Sequence, residues 1–314
     1  MFLLLALCVA VGCARNLRQP VPGPAPDIGQ LWRDGRDTES RDMVHGPGGI
    51  GLVPPPATYS FVAVKSAGTN PGYDVRDPQG RLWSVKLGDE AQSEVTTGRI
   101  LWALGFHQPP TYYVNAWRMS GHGDGDQPAG RFRLEMPEHE VVGDWSWYDN
   151  EFIGTRPYAA LIAVNLLLNN WDLKTSNNKV YAVTEGGRVE HRYVVRDLGA
   201  SLGKARQPRL LSWLPFMRHK QGTKNTLEDF EKQGWVSAVE NGMIDFDYRG
   251  LDKALAGSVA VDDMRWTIQL LSQLSERHWH DAFRAGGYDA EQSARYVKRI
   301  QEKIAHARQM ISAG

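Results

Sequence analysis

The chain is poor in cysteine: 314 residues hold two, Cys8 and Cys13, both close to the start. This excludes a disulfide framework and a cysteine-ligated metal site in everything downstream. Net charge is also missing, since 36 Lys plus Arg face 36 Asp plus Glu, so there is no general basic field to hold nucleic acid. No run approaches the roughly 20 apolar residues that a membrane-spanning helix needs. No internal repeat is visible, and no G-x-G-x-x-G lies between the first two expected strands. What is present is an apolar fraction of 42% with eleven Trp and eleven Tyr, enough for a substantial globular core.

The first apolar stretch, Phe2 to Val11, has the length of an export-signal core and ends in Ala10-Val-Gly-Cys13. That ending resembles a bacterial lipobox, whose Cys carries lipid. Residues 1–13 are therefore expected to be a lipoprotein signal segment, with Cys13 the anchor and the sole membrane attachment. The expected location is exported, on the periplasmic or cell-surface side of a bacterial membrane; without the signal it would be cytoplasmic. Residues 14–57 are rich in Pro and Gly, beginning Gln19-Pro-Val-Pro-Gly-Pro-Ala-Pro26, and predict an extended tether with a charged stretch, Asp34 to Asp42, able to dock.

From residue 58 the pattern turns to short strands. Ser60–Lys65, Tyr73–Arg76 and Arg81–Leu87 alternate in polarity between turn signals, and Glu90–Leu104 has helical spacing stopped by Gly105. Thr111–Val114 adds a strand. Tyr158–Leu168 predicts an apolar helix, followed by a polar loop and a hairpin, Lys179–Val183 with His191–Val195. After Gly203 the chain reads as irregular and then as helices to the end, notably Met264–His278 and Ala290–Met310. The class is α+β in two lobes, residues 58–148 rich in β-strand and residues 149–314 mostly helical.

The chemistry gathers in two places. The loop reads Asn169-Asn-Trp-Asp172-Leu-Lys174-Thr-Ser-Asn177, and the hairpin ends in Arg196-Asp197-Leu-Gly199. An Asp orienting a hydroxyl, with Asn and Asp oxygens for Mg²⁺, is the equipment of phosphoryl transfer. The order of helix, Asp-x-x-x-x-Asn loop, hairpin and Asp-x-Gly resembles the lower lobe of protein kinases. The lead-in Leu-Leu-Leu-Asn-Asn-Trp-Asp is more similar to the atypical kinase-like superfamily: HipA-type kinases, phosphoinositide kinases and secretory-pathway casein kinases. The resemblance covers residues 58 to 200.

It implies a two-lobed kinase-like fold binding ATP and Mg²⁺ in the cleft between lobes. Lys86 would hold the α- and β-phosphates, with Glu94, or its rival Glu90, orienting it. Gly68 and Gly72 would cover the phosphates. Asp172 would position the acceptor, Lys174 would offset charge on the transferred group, and Asn177 and Asp197 would bind the metal. The acceptor is a protein or small molecule that the sequence does not name. Departures are Trp171 in place of an Arg, no His opening the loop, and no A-P-E element.

Two other readings compete. A kinase-like module without activity would bind nucleotide only. Gly199-Ala-Ser201-Leu-Gly203 fits the G-x-S-x-G of serine hydrolases, with Asp245, Asp247 or Asp262 and His278 or His280 in triad order. The polar Lys204-Ala-Arg-Gln-Pro208 that follows speaks against the required helix. His122-Gly-Asp-Gly-Asp126 reads as a hairpin turn more readily than as a Ca²⁺ loop, and the basic stretch Arg206 to Lys224 is a candidate docking site for acidic substrates.

Overall fold

In the computed structural model residue 17 and residues 24–35, 38–65, 70–205, 222–250 and 252–313 are described. Cys13, Gly68 and most of the basic stretch from Arg206 lie outside them.

Strands β1 (Thr58–Val64), β2 (Gly72–Arg76) and β3 (Leu82–Leu87) pair antiparallel in turn, and a tight turn at Asp77–Arg81 joins the last two. At Asp77 the carboxylate accepts hydrogen bonds from the Gln79 and Arg81 amides, Arg81 Nε and Trp83 Nε1, which explains how a buried acid closes this turn. Helix α1 (Glu90–Ala103) follows, then β4 (Thr111–Val114), β5 (Trp117–Ser120), β6 (Gly125–Gln127) and β7 (Gly130–Glu135). The seven strands form one sheet in the order β4-β7-β3-β2-β1-β5-β6. Its own core is aromatic: the Phe132 ring lies 5.3 Å from Tyr59 and 5.1 Å from Trp117, with Trp83 and Val85 fully buried beside them. The His122 segment is the turn between β5 and β6, as its hairpin reading has it.

The second lobe holds β8 (His139–Gly143), α2 (Arg156–Leu167), β9 (Asn178–Glu185), β10 (Arg188–Val195) and α3 (Leu227–Lys232). It continues with β11 (Val236–Glu240), β12 (Met243–Phe246), α4 (Lys253–Ala256), α5 (Val261–Leu271), α6 (Glu276–Ala285) and α7 (Ala290–Ala313). Thr155 caps α2 by accepting the Tyr158 amide, Pro157 sits in its first turn, and the helix is buried almost all round, which its continuous apolar composition requires. The C-terminal half of α1 enters this core through Ile100 and Leu101. The expected α+β, two-lobed architecture is thus present.

Three expectations need correction. Residues 28–52 do not extend as a tether; they fold into four 3₁₀ turns against the body, with Leu31 and Met43 in the second core. The Pro/Gly content concealed these apolar anchors. The same segment contains Gly46, Gly48 and Gly51 at the spacing of a phosphate-binding loop, but among the described residues no strand precedes them, and Gly46 is packed on the Arg99 side chain. Second, the helix expected over Met264–His278 is broken, because Ser275 caps α6 reciprocally with His278. Third, β11 and β12 form a hairpin where no strand was expected; the signal was Asn241-Gly242, both at positive φ.

Candidate active site

Between the lobes lies a cleft of about 480 Å³ lined by Gly72, Lys86, Glu90, Glu94, Asp172, Lys174, Asn177 and Asp197, among others. It therefore gathers every described residue of the expected site. Gly72 lies opposite Lys86 in the sheet, and a side chain there would meet the Val85 carbonyl at 2.5 Å, so its first requirement is strand packing.

On the strand side, Lys86 Nζ lies 2.8 Å from Glu94 Oε2, 3.1 Å from Glu90 Oε2 and 2.9 Å from Asp197 Oδ1. Both proposed partners on α1 thus engage it, Glu94 more closely. Glu94 is 4% exposed and also meets Arg131 Nε at 2.9 Å and Arg133 Nη1 at 3.8 Å. Glu90 is held from its other oxygen by Lys224. Burial lowers the Lys86 ammonium's affinity for its proton, but Glu94 and Asp197 outweigh that and raise its pKa. Burial raises the Asp197 carboxyl, yet Lys86 and Arg131 bring it down to about 2. Burial pushes Arg131 down to about 10 against the pull of Glu94.

On the helical side the reactive groups rest on neutral amides. Asn169, Asn170 and Asn165 are fully buried. Asn165 Nδ2 donates to the Leu161 carbonyl, Asn170 Nδ2 donates to Asn165 Oδ1 at 2.8 Å, and Asn170 Oδ1 accepts the Asp172 amide at 3.2 Å. Asn169 adopts φ 56°, turning the chain out of α2, and its Nδ2 donates to the Gly203 carbonyl. Asn177 Nδ2 donates to the Asp172 carbonyl at 2.7 Å and to Asp172 Oδ2 at 3.1 Å, while Lys174 Nζ stands 2.8 Å from the same oxygen.

The hairpin joins the two motifs. Asn178 pairs with Val195 in β9 and β10, so the next residue out, Asn177, faces Arg196 and Asp197. Its carbonyl accepts both their amides, at 2.9 and 3.2 Å. Gly199 then approaches α1 so closely that a Cβ would lie 2.6 Å from Glu90, and Ser93 Oγ donates to its carbonyl at 2.8 Å.

For a metal, the donor set is two oxygens. Asn177 spends its amide hydrogens on Asp172, leaving Oδ1, and Asp197 engages Lys86 and the Gly199 amide through Oδ1 alone. Among the described residues no group of three or more His, Cys, Asp or Glu is placed to hold an ion. Two hard oxygen donors in a cleft suit Mg²⁺, which takes phosphates and water for the rest of its octahedron.

The hydrolase residues do not assemble. Ser201 is fully buried with no hydrogen-bond partner for Oγ among the described residues, and an isolated bridge between Ala205 and Gly222 follows where the elbow needs a helix. Asp247 accepts the Gly234 amide, and His278 caps α6.

Sequence reading assigned no role to Arg131, Arg133, Asn165 or Lys303. Lys303, 2% exposed on α7, donates to the Leu167 carbonyl and Asn169 Oδ1, both at 3.2 Å, and sits 3.7 Å from the Phe230 ring centre. Burial drives its pKa well down. No local signal marks it, because its partners lie more than 130 residues earlier.

No protein-family model matches the sequence, and no curated protein matches it. Solved structures do show similarity. A proinflammatory kinase of Helicobacter pylori, CtkA, is 12% identical over 82% of this chain and 99% of its own, with a TM-score of 0.48. The Golgi casein kinase with Mn and ADP bound is 8% identical over 88% and 76%, with a TM-score of 0.41. The HipA–HipB–operator complex of Shewanella oneidensis contributes a chain 11% identical over 93% and 75%, with a TM-score of 0.40. The likeness concerns the shape of the chain alone.

Proposed function

We propose that the cleft binds a nucleoside triphosphate with Mg²⁺ and transfers a phosphoryl group to a hydroxyl acceptor. One observation carries this reading: the Asn177 carbonyl, accepting the Arg196 and Asp197 amides, ties the Asp172 loop to the carboxylate that meets Lys86. A phosphate chain, an acceptor hydroxyl and a metal would each find a separate group in one space.

Lys86 would hold the donor's α- and β-phosphates, kept charged by Glu94. Asn177 Oδ1 and Asp197 would take the metal, which neutralises charge on the phosphates. Asp172 would orient the acceptor hydroxyl and accept its proton as the new O–P bond forms and the bond to the nucleoside diphosphate breaks. Lys174, 55% exposed at the mouth, would counter charge on the moving group. Glu90, drawn to Lys224, leaves Glu94 the principal partner of Lys86.

Mg-ATP at about a hundred times its dissociation constant should stabilise the protein by about 2.7 kcal/mol. Asp197→Asn should abolish most of that gain, read as a thermal shift with and without Mg²⁺. Asp172→Asn should keep the shift and lose transfer or slow ATP hydrolysis. A wild type without any Mg²⁺-dependent response sinks the proposal; a full shift without turnover on any acceptor favours the inactive binding module.

The lipid anchor at Cys13 remains a proposal of the same kind. Its motive is the Ala-Val-Gly-Cys13 ending, and lipid-analogue labelling that persists in Cys13→Ala would remove it.

A further inference from the structure

A site that reads a nucleobase offers flat apolar walls and in-plane hydrogen-bonding partners. Among the described residues lining this cleft there is no aromatic side chain. Four apolar ones line it, and of these Val85 is fully buried and Ala200 is 6% exposed, leaving Val64 and Pro71 as reachable apolar surface. No residue of the connection between the lobes lines it either. That connection folds on itself: the His139 amide donates to the Met136 carbonyl, and the Glu138 carbonyl accepts the Thr184 amide.

Cations fill the place of apolar walls. Lys65, Lys86, Arg131, Arg133, Lys179 and Arg196 all line the cleft. Arg131 and Arg133 are buried and share the Glu94 carboxylate with Lys86, Arg133 also meeting Glu135 at 3.5 Å. Arg196 meets the Tyr181 hydroxyl at 3.3 Å and, among the described residues, no carboxylate at ion-pair distance. A guanidinium without a carboxylate, in a cleft, is a ready partner for a phosphate oxygen.

We infer that the cleft selects its donor by the phosphate chain and not by the base, so that nucleoside triphosphates of any base, and an inorganic triphosphate, bind alike. This rests on the phosphotransferase reading and specifies its donor. Base-reading pockets discriminate because a wrong base leaves buried polar groups unpaired; among the described lining residues the buried polar side chains Ser84, Arg131 and Arg133 are engaged with one another and with Glu94.

Calorimetric titration of the full chain with ATP, GTP, CTP, inorganic tripolyphosphate and adenosine, all in excess Mg²⁺, tests it. The three nucleotides should agree within about threefold, tripolyphosphate should fall within about tenfold of them, and adenosine should not bind. Arg196→Gln should weaken all four phosphate ligands by a similar factor of about ten, and Arg196→Lys should recover part of it. Binding of ATP about thirtyfold tighter than GTP and CTP, binding of adenosine, or failure of tripolyphosphate alone overturns the inference and leaves the phosphotransferase reading standing. Loss in Arg196→Gln confined to ATP also overturns it. Absence of Mg²⁺-dependent binding by every ligand removes both.

Discussion

On the strand side of the cleft, functional groups are held by charge. Lys86, Arg131 and Arg133 converge on Glu94, and none of the four side chains is more than 16% exposed. On the helical side, the Asp172 loop is held by uncharged amides, Asn165 to Asn170 to the Asp172 backbone and Asn177 to its carboxylate, beside the exposed Lys174 ammonium 2.8 Å from Oδ2. The contrast follows from what each wall must present. Cations kept near the protein interior require a buried counter-charge, since an isolated one loses its hydration without return. A carboxylate that must meet a hydroxyl is better oriented by dipoles, which add no further counter-charge to that of Lys174. The charged wall is consequently the fragile one, and the amide wall is the rigid one.

Removing the shared carboxylate should break the charged wall most severely. Glu94→Ala leaves three buried cations with one anchor fewer and should cost about 3–5 kcal/mol in denaturant unfolding; a loss under about 1 kcal/mol would show that water reaches these groups. The amide wall should answer more mildly. Asn170→Ala leaves Asn165 Oδ1 and the Asp172 amide without their partner and should cost about 1–3 kcal/mol. If instead it matched Glu94→Ala, the distinction between the walls would disappear.

Acid should separate them with the smallest effect. Burial raises the Asp197 and Glu90 carboxyls, but both lie below their ordinary values because Lys86, with Arg131 and the Gly199 amide at Asp197 and Lys224 at Glu90, together outweigh it. Their contribution is complete above the unfolded carboxylate range, near pH 4, and is lost as pH falls toward about 2, the Asp197 value. Asp197→Asn should flatten stability measured between those limits. Because the Asp197 side chain is 42% exposed, the change should be modest; superimposable wild-type and variant acid limbs would count against the Lys86 contact.

Much of the strand side was legible. Alternation and turn chemistry placed β1, β2, β3 and α1 within a residue or two, and Lys86 with its acidic partners stood out by position. The Asp172 loop and Asp197 were legible as motifs because the hairpin between them has a clear period. The second half was harder. Its elements are packed by long-range contacts, so the short α3 and α4 and the break before α6 left weak local traces. The β11–β12 hairpin carried an Asn-Gly signal inside a stretch that otherwise reads as irregular or helical.

By itself the sequence determined what is local: strand and helix periods, the turn at Asp77, the apolar α2, and two motifs at the ends of one hairpin. These depend on residues a few positions apart. The tertiary structure alone decided that Leu31 and Met43 dock the N-terminal segment, that Arg131 and Arg133 turn into the cleft, and that Lys303 supports Asn169. Those outcomes depend on which distant groups can satisfy a buried charge or amide, and a burial cost is set by neighbours that only folding brings together.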